Sequence, residues 1–216
     1  MRSFLVIGLG RFGFHLAKEL SSLGAEVFAV DTDEEIVQEI SEFVSSAQIA
    51  DCTDEDVVDS IGVSNFDECF VCMGSDFADS IEITLLLRER GAKRIICKTD
   101  SERHAKLLMR CGADEIIYPE RDEAHRAARR HVTKHAFDYY PLSDDFAVFE
   151  ISPIDAWVGK TVSELSLRNR HNINVIGVMR SSALIPVISP DFTFRSGENI
   201  VIAGAMKDIT RMLGKL

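Results

Sequence analysis

The stretch Phe4 to Gly13, Phe-Leu-Val-Ile-Gly-Leu-Gly-Arg-Phe-Gly, constrains this chain more than any other. A short apolar strand runs directly into G-x-G-x-x-G at Gly8, Gly10 and Gly13, and a helical pattern follows from Phe14 to Leu23. In a dinucleotide-type turn the first glycine allows the tight bend, the second lets backbone approach a phosphate, and the third lets helix pack on strand. The phosphate then meets unpaired amides at the positive end of a helix. A second apolar run, Glu26 to Val30, ends in Asp31, where such folds place the acid that holds a ribose diol. Asp31, Thr32 and Asp33 offer no cation to a 2'-phosphate, which argues against NADP.

From this point apolar runs and amphipathic stretches alternate as in a doubly wound sheet. Strands are predicted at Phe4 to Ile7, Val27 to Val30, Ala47 to Ala50, Cys69 to Met73, Arg94 to Cys97 and Glu115 to Ile117. Helices are predicted at Phe12 to Leu23, Glu34 to Phe43, Asp54 to Ile61, Ser80 to Arg90 and Ser101 to Arg110. Asp and Thr residues before Glu34 and Asp54 are N-cap candidates, and Gly24, Gly91 and Gly112 are stops. The fold class is α/β, a Rossmann parallel sheet with right-handed crossovers.

The alternation ends after the sixth strand. Tyr118 to Asp122 reads as a turn, and Glu123 to about Phe137 as a long helix that must stop at Tyr140-Pro141-Leu142-Ser143-Asp144-Asp145. The remainder reads as a small α+β lobe. Its predicted strands are Val148 to Ile151, Ile173 to Met179, Leu184 to Ile188 and Asn199 to Ala203, with helices at Thr161 to Leu167 and Lys207 to Leu213. Arg195 to Asn199 resembles a hairpin turn. The expected organisation is a Rossmann domain over 1–122, a helix and linker over 123–145, and a C-terminal lobe over 146–216.

Composition narrows the function. With 216 residues, 46% hydrophobic and 27% charged, the chain is long enough for a sizeable core and reads as soluble and globular. A net charge of -11 excludes broad nucleic-acid binding, which needs a basic footprint. No run approaches a membrane span, and the first strand follows Met1 too closely for a signal peptide, so the expected compartment is cytoplasmic. The five cysteines fit a reducing compartment. Cys69 and Cys72 form C-x-x-C inside a predicted strand, where residues three apart point to opposite faces, which argues against a metal or redox pair.

Several side chains gather at the carboxyl edge of the predicted sheet. Arg11 places a guanidinium beside the phosphate-facing amides, which suits a terminal phosphate; the alternative is a solvated arginine on the first helical turn. Phe12 reads as packing more than as a ligand contact. After the third strand, Asp51-Cys52-Thr53 offers an acceptor for an adenine amino group, or else an N-cap. Met73-Gly74-Ser75-Asp76 follows the fourth strand and Lys98 the fifth. An alternative reading as a small NAD-dependent oxidoreductase rests on His104 as acid or base, against a plain role on an amphipathic helix. The run His125 to His135 is read as a solvated or interface helix face rather than a nucleic-acid patch or a His131/His135 metal site. Trp157 and the face of Ile81, Leu85 and Leu86 are read as packing.

Gly8-Leu9-Gly10-Arg11-Phe12-Gly13, Val30-Asp31-Thr32-Asp33, Ala50-Asp51-Cys52-Thr53 and Gly112-Ala113-Asp114 to Pro119-Glu120-Arg121-Asp122 together resemble the RCK (regulator of potassium conductance) family. The likeness is to the TrkA/KtrA-type cytoplasmic subunits of bacterial potassium uptake systems and extends into the C-terminal lobe. The resemblance implies a regulatory subunit and no enzyme. It also implies homodimers assembled into an octameric ring that docks on a membrane potassium transporter, peripheral to the membrane, and responds to ATP, ADP or NAD(H). It further implies that Gly8, Gly10, Arg11 and Gly13 hold phosphates, Asp31 and Asp33 the ribose, and Asp51 the base. Phe12, Thr32, Cys52, Met73, Gly74 and Ser75 are expected to line the same site, with Lys98 nearby. Glu120 corresponds to an acid that helps hold Mg2+ or another divalent cation between the nucleotides of a dimer, and 123–137 to the crossover helix joining two lobes. Asp33 stands where some members carry asparagine. Arg11 favours ATP and ADP, with NAD(H) as the alternative. Arg168 and Asn174 lie in a stretch similar to one that binds cyclic di-AMP in certain members.

Overall fold

The apolar runs of the first half form parallel strands: β1 (Ser3–Ile7), β2 (Glu26–Asp31), β3 (Ser46–Ile49), β4 (Glu68–Val71), β5 (Ile95–Lys98) and β6 (Glu115–Ile117). They make a six-stranded sheet in the order β3-β2-β1-β4-β5-β6, the doubly wound arrangement. Between them lie α1 (Arg11–Ser22), α2 (Glu34–Ser41), α3 (Glu55–Ile61), α4 (Phe77–Glu89) and α5 (Glu102–Cys111). The computed structural model describes the chain except for residues 74–76, 133–135, 144, 153, 182, 187–188 and 215–216, and except for the side chains of 129–132, 136–139 and 141.

Alternation along the strands builds a core on each sheet face. Leu5, Ile7, Cys69, Val71, Ile95 and Cys97 join Val58, Ile83, Leu87 and Leu108 from α3, α4 and α5. Val6, Val27 and Ala29 join Ala17, Val37 and Ile40 from α1 and α2. Cys69 belongs to the first core and Cys72 to the second, so the C-x-x-C residues diverge as their spacing predicts. The packing face of α4 differs from the expectation in one residue. Leu86 is buried and Ile81 partly so, but Leu85 is exposed.

The amino-terminal edge of this sheet is closed by charge. Glu68 accepts from Arg2 at 2.8 Å and from Arg94 at 3.2 Å, and Arg94 also pairs with Glu115. One chain of alternating charge thus links the starts of β1, β4, β5 and β6. Among the described residues the carboxyl edge carries no such chain of charge across its strands, and between β1 and β4 the order of strands reverses, which opens a crevice there.

Residues cluster into two compact units, Met1–Asp122 and Glu123–Leu216. α6 (Pro119–Val132) begins in the first and continues into the second, which corrects the predicted turn over 118–122. Pro119 is the cause, since its fixed φ and missing N–H suit the first helical position. The predicted helix is also too long, because β7 (Ala136–Pro141) follows it. Aromatic residues at 137, 139 and 140 favour a strand over continued helix.

The second unit carries an antiparallel sheet built from β7, β8 (Phe146–Ile151), β9 (Asn174–Arg180), β10 (Ala183–Ile185) and β11 (Asn199–Ala205) in the order β10-β9-β11-β8-β7. The turn at Arg195 to Asn199 leads into β11 but closes no hairpin, because β10 and β11 are not neighbours. The predicted helix over Thr161 to Leu167 is two, α7 (Val162–Leu165) and α8 (Leu167–His171), broken at Ser166 with φ 49°. Thr161 and Glu164 cap α7 reciprocally. α9 (Met206–Leu213) buries Ile209 and Met212 against Ala147, Phe149, Ile151, Val178, Ile200 and Ile202, with Trp157 and Phe194 in the same core. Among the described residues no helix is long and apolar enough to cross a membrane.

Candidate functional site

At the carboxyl end of β1 each loop glycine answers a different physical demand. Gly8 has φ +88°, and a Cβ there would lie 3.0 Å from the Met73 sulfur. A Cβ on Gly13 would overlap the Gly8 carbonyl oxygen, so helix and loop approach to backbone contact. Gly10 faces open space, with nothing within 4 Å of its missing Cβ. It is the N-cap of α1 and supplies no side-chain cap. The amides of that first turn therefore have no intrahelical partner and border an opening, the arrangement that receives an anion.

Asp31 braces this loop. Its Oδ2 accepts from the Leu9 amide and its Oδ1 from the Asp33 amide at 2.9 Å. Each carboxylate oxygen keeps a further lone pair, so the brace leaves capacity for a hydroxyl donor. Asp33 also caps α2, its Oδ1 accepting from the Glu35 and Ile36 amides, which leaves its Oδ2 for a hydroxyl donor. Asp51 accepts from the Thr53 amide and hydroxyl at 2.9 and 2.7 Å, and these bonds hold its carboxyl below the usual range. The cap of α3 is instead Asp54. Cys52 differs from its predicted place among ligand-facing groups. Its side chain is buried in the core, and burial pushes its thiol up to about 12. Phe12 is likewise partly buried against the core, as packing. Thr32 immediately follows β2. Gly74 and Ser75 lie outside the described residues.

Lys98, at the end of β5, meets Glu120 in the first turn of α6 at 3.0 Å. That bond, reinforced by the charges of Lys98 and Arg11, holds the Glu120 carboxyl below its ordinary value. Arg11 itself is exposed and has no ion pair or side-chain hydrogen bond among the described residues. Among the described residues the first unit thus brings the loop amides, the Arg11 guanidinium, the Lys98 ammonium and the Asp31 and Glu120 carboxylates to the carboxyl edge of the sheet. Glu120 is the only predicted metal ligand, and its present partner is Lys98. Among the described residues no group of three or more His, Cys, Asp or Glu forms a metal site.

Two features lie beyond the reach of the sequence pattern. The Leu9 amide is tied to Asp31, which only the loop's three-dimensional course reveals. Phe77 stacks on His104 with ring centroids 3.6 Å apart and planes at 12°. Among the described residues His104 is thus engaged by an aromatic ring and by no carboxylate. In the second unit, Arg168 and Asn174 line a groove of about 410 Å³ with Val162, Ile173 and Val175. His131 has no described side chain, and His135 lies outside the described residues.

A parallel sheet with a braced glycine loop and a small antiparallel lobe make up the fold of the RCK domains. Family comparison agrees: residues 4–119 match the TrkA-N domain and residues 146–215 the TrkA-C domain, and the chain belongs to this family. It is 38% identical to Ktr system potassium uptake protein C of Bacillus subtilis over 97% of this chain and 95% of that protein. It is 35% identical to Ktr system potassium uptake protein A of Vibrio alginolyticus, over 100% of this chain and 98% of that one. The crystal structure of the GsuK RCK domain has the same fold, with a TM-score of 0.66 at 18% identity over 99% of this chain. The present chain spans 47% of that longer one.

Proposed function

We propose that this protein is the cytoplasmic, nucleotide-sensing regulatory subunit of a potassium uptake system, acting on a membrane transporter by binding rather than by turnover. The observation that carries the reading is the loop: open first-turn amides, the unpaired Arg11 and the Asp31 brace form a cradle for a charged nucleotide. The relatives named as Ktr potassium uptake proteins supply the physiological context. Gly8, Gly10, Gly13 and Arg11 hold the phosphates, Asp31 and Asp33 the ribose and Asp51 the base, with ATP or ADP favoured over NAD(H). Glu120, released from Lys98, assists a divalent cation. Homodimers arranged as an octameric ring fit the exposed Leu107 and Met109 of α5. Ligand acts on the transporter by favouring one arrangement of the ring through its differential affinity.

Thermal denaturation with ATP, ADP, NAD and NADH, with and without Mg2+, tests the site. A ligand that binds only the folded state raises its melting temperature. The rise should disappear in Arg11→Ala and Asp31→Ala; if both variants respond like the wild type, the cradle assignment is wrong. Transporter flux in reconstituted membranes that ignores nucleotide would refute the regulatory role, and hydride transfer to small alcohols or acids would restore the oxidoreductase alternative.

The groove of the second unit supports a further ligand reading. Arg168 and Asn174 beside an apolar wall suit a phosphate and a purine of cyclic di-AMP. Stabilisation by cyclic di-AMP that Arg168→Ala abolishes is the expected result.

A further inference from the structure

We propose that the Phe77–His104 stack sets ligand selectivity by closing the half of the crevice that a second nucleoside would occupy. This rests on the reading of the glycine loop as a nucleotide cradle. Phe77 opens α4 and His104 lies in the first turn of α5, so both stand at the carboxyl edge of the sheet, beyond the ends of β4 and β5. The exit of β4 adjoins the loop directly, since the Met73 sulfur lies beside Gly8. On the other side of the loop stand Asp31 and Asp51, at the ends of β2 and β3.

A dinucleotide lies across both halves of such a crevice, one nucleoside on each side of the point where strand order reverses. A nucleoside polyphosphate needs one half and the cations at its phosphate end. Here the Phe77–His104 pair stands at the β4–β5 half. Phe77 packs against the core, and the imidazole covers its ring at 3.6 Å, a spacing that admits no inserted base. A second base would have to separate the stacked rings, and an aromatic pair of this kind contributes enough to shift an equilibrium by up to about tenfold. Arg11 and Lys98 stand on the phosphate path before that barrier.

Titration calorimetry of the full-length protein with ADP and with NAD tests the assignment. The wild type should bind ADP more tightly than NAD, by up to about tenfold from the stack. His104→Ala should leave ADP affinity unchanged and tighten NAD by up to about tenfold, the worth of the lost stack. His104→Phe, which keeps a stacked ring, should retain the wild-type ratio. Because Phe77 is part of the packing, the half-buried His104 carries the test and a folding defect need not intervene. Equal wild-type affinities, or an ADP-to-NAD ratio that His104→Ala leaves unmoved, would overturn the proposal. Binding of neither nucleotide would instead remove the cradle reading on which it rests.

Discussion

Gly10 and Gly13 are three residues apart, yet they should fail in opposite ways. Gly10→Ala adds a methyl group to open space, so it should change stability by no more than about 1 kcal/mol, the scale of an N-cap substitution. Its Cβ would stand where a phosphate approaches, and nucleotide stabilisation should be lost. Gly13→Ala drives a Cβ into the Gly8 carbonyl and should destabilise by about 2 kcal/mol or more, measurable in urea without any ligand. Thiol chemistry gives a second test of single side chains. Burial pushes Cys52, Cys69 and Cys72 up to about 12 and Cys97 up to about 11, whereas Cys111 is half-exposed. A thiol reagent at pH 8 should label Cys111 rapidly and the other four only on unfolding. The raised values also fix an alkaline trend. Unfolded thiols ionise first, so stability should hold up to the ordinary thiol value of 9.0 and decline as pH rises toward about 12.

The Lys98–Glu120 pair ties the end of β5 to the first turn of α6, and its pH dependence runs the other way. Because Glu120 is depressed, the contribution is present above the ordinary carboxylate value of 4.5 and is lost as pH falls below it. Glu120 is largely exposed, so Glu120→Gln should cost no more than about 0.5 kcal/mol at neutral pH, and the difference from wild type should vanish in acid. This pair also shows the limits of reading elements from a linear pattern. The six parallel strands and the glycine loop are legible because period-two and period-3.6 runs are local. The meeting of Lys98 with Glu120 depends on β5 and α6 being brought together, which no local period encodes. β7 escapes a linear reading because the helical run over 123–135 has no internal break, so the aromatic strand signal beyond it is absorbed. The residue types of Asp31 and Asp33 suffice to place them at the crevice, but their backbone bonds come from turn geometry that spacing alone leaves open.

Each unit has its own core: two apolar layers flank the parallel sheet of the first, and α9 with Trp157 and Phe194 packs on the sheet of the second. Calorimetry of the whole chain should therefore resolve two transitions, and ADP should raise only that of the unit carrying the glycine loop. A single transition displaced as a whole would mean that the units unfold as one. The brace from Asp31 to the Leu9 and Asp33 amides bears on the tempo of the response. A cradle braced by the chain's own bonds need not be ordered by its ligand, so arrival is not delayed by rearrangement of the loop. Variants that weaken nucleotide binding should then differ mainly in residence time, which stopped-flow measurements would read directly. A receptor of this kind keeps step with a falling nucleotide concentration only as quickly as it lets go.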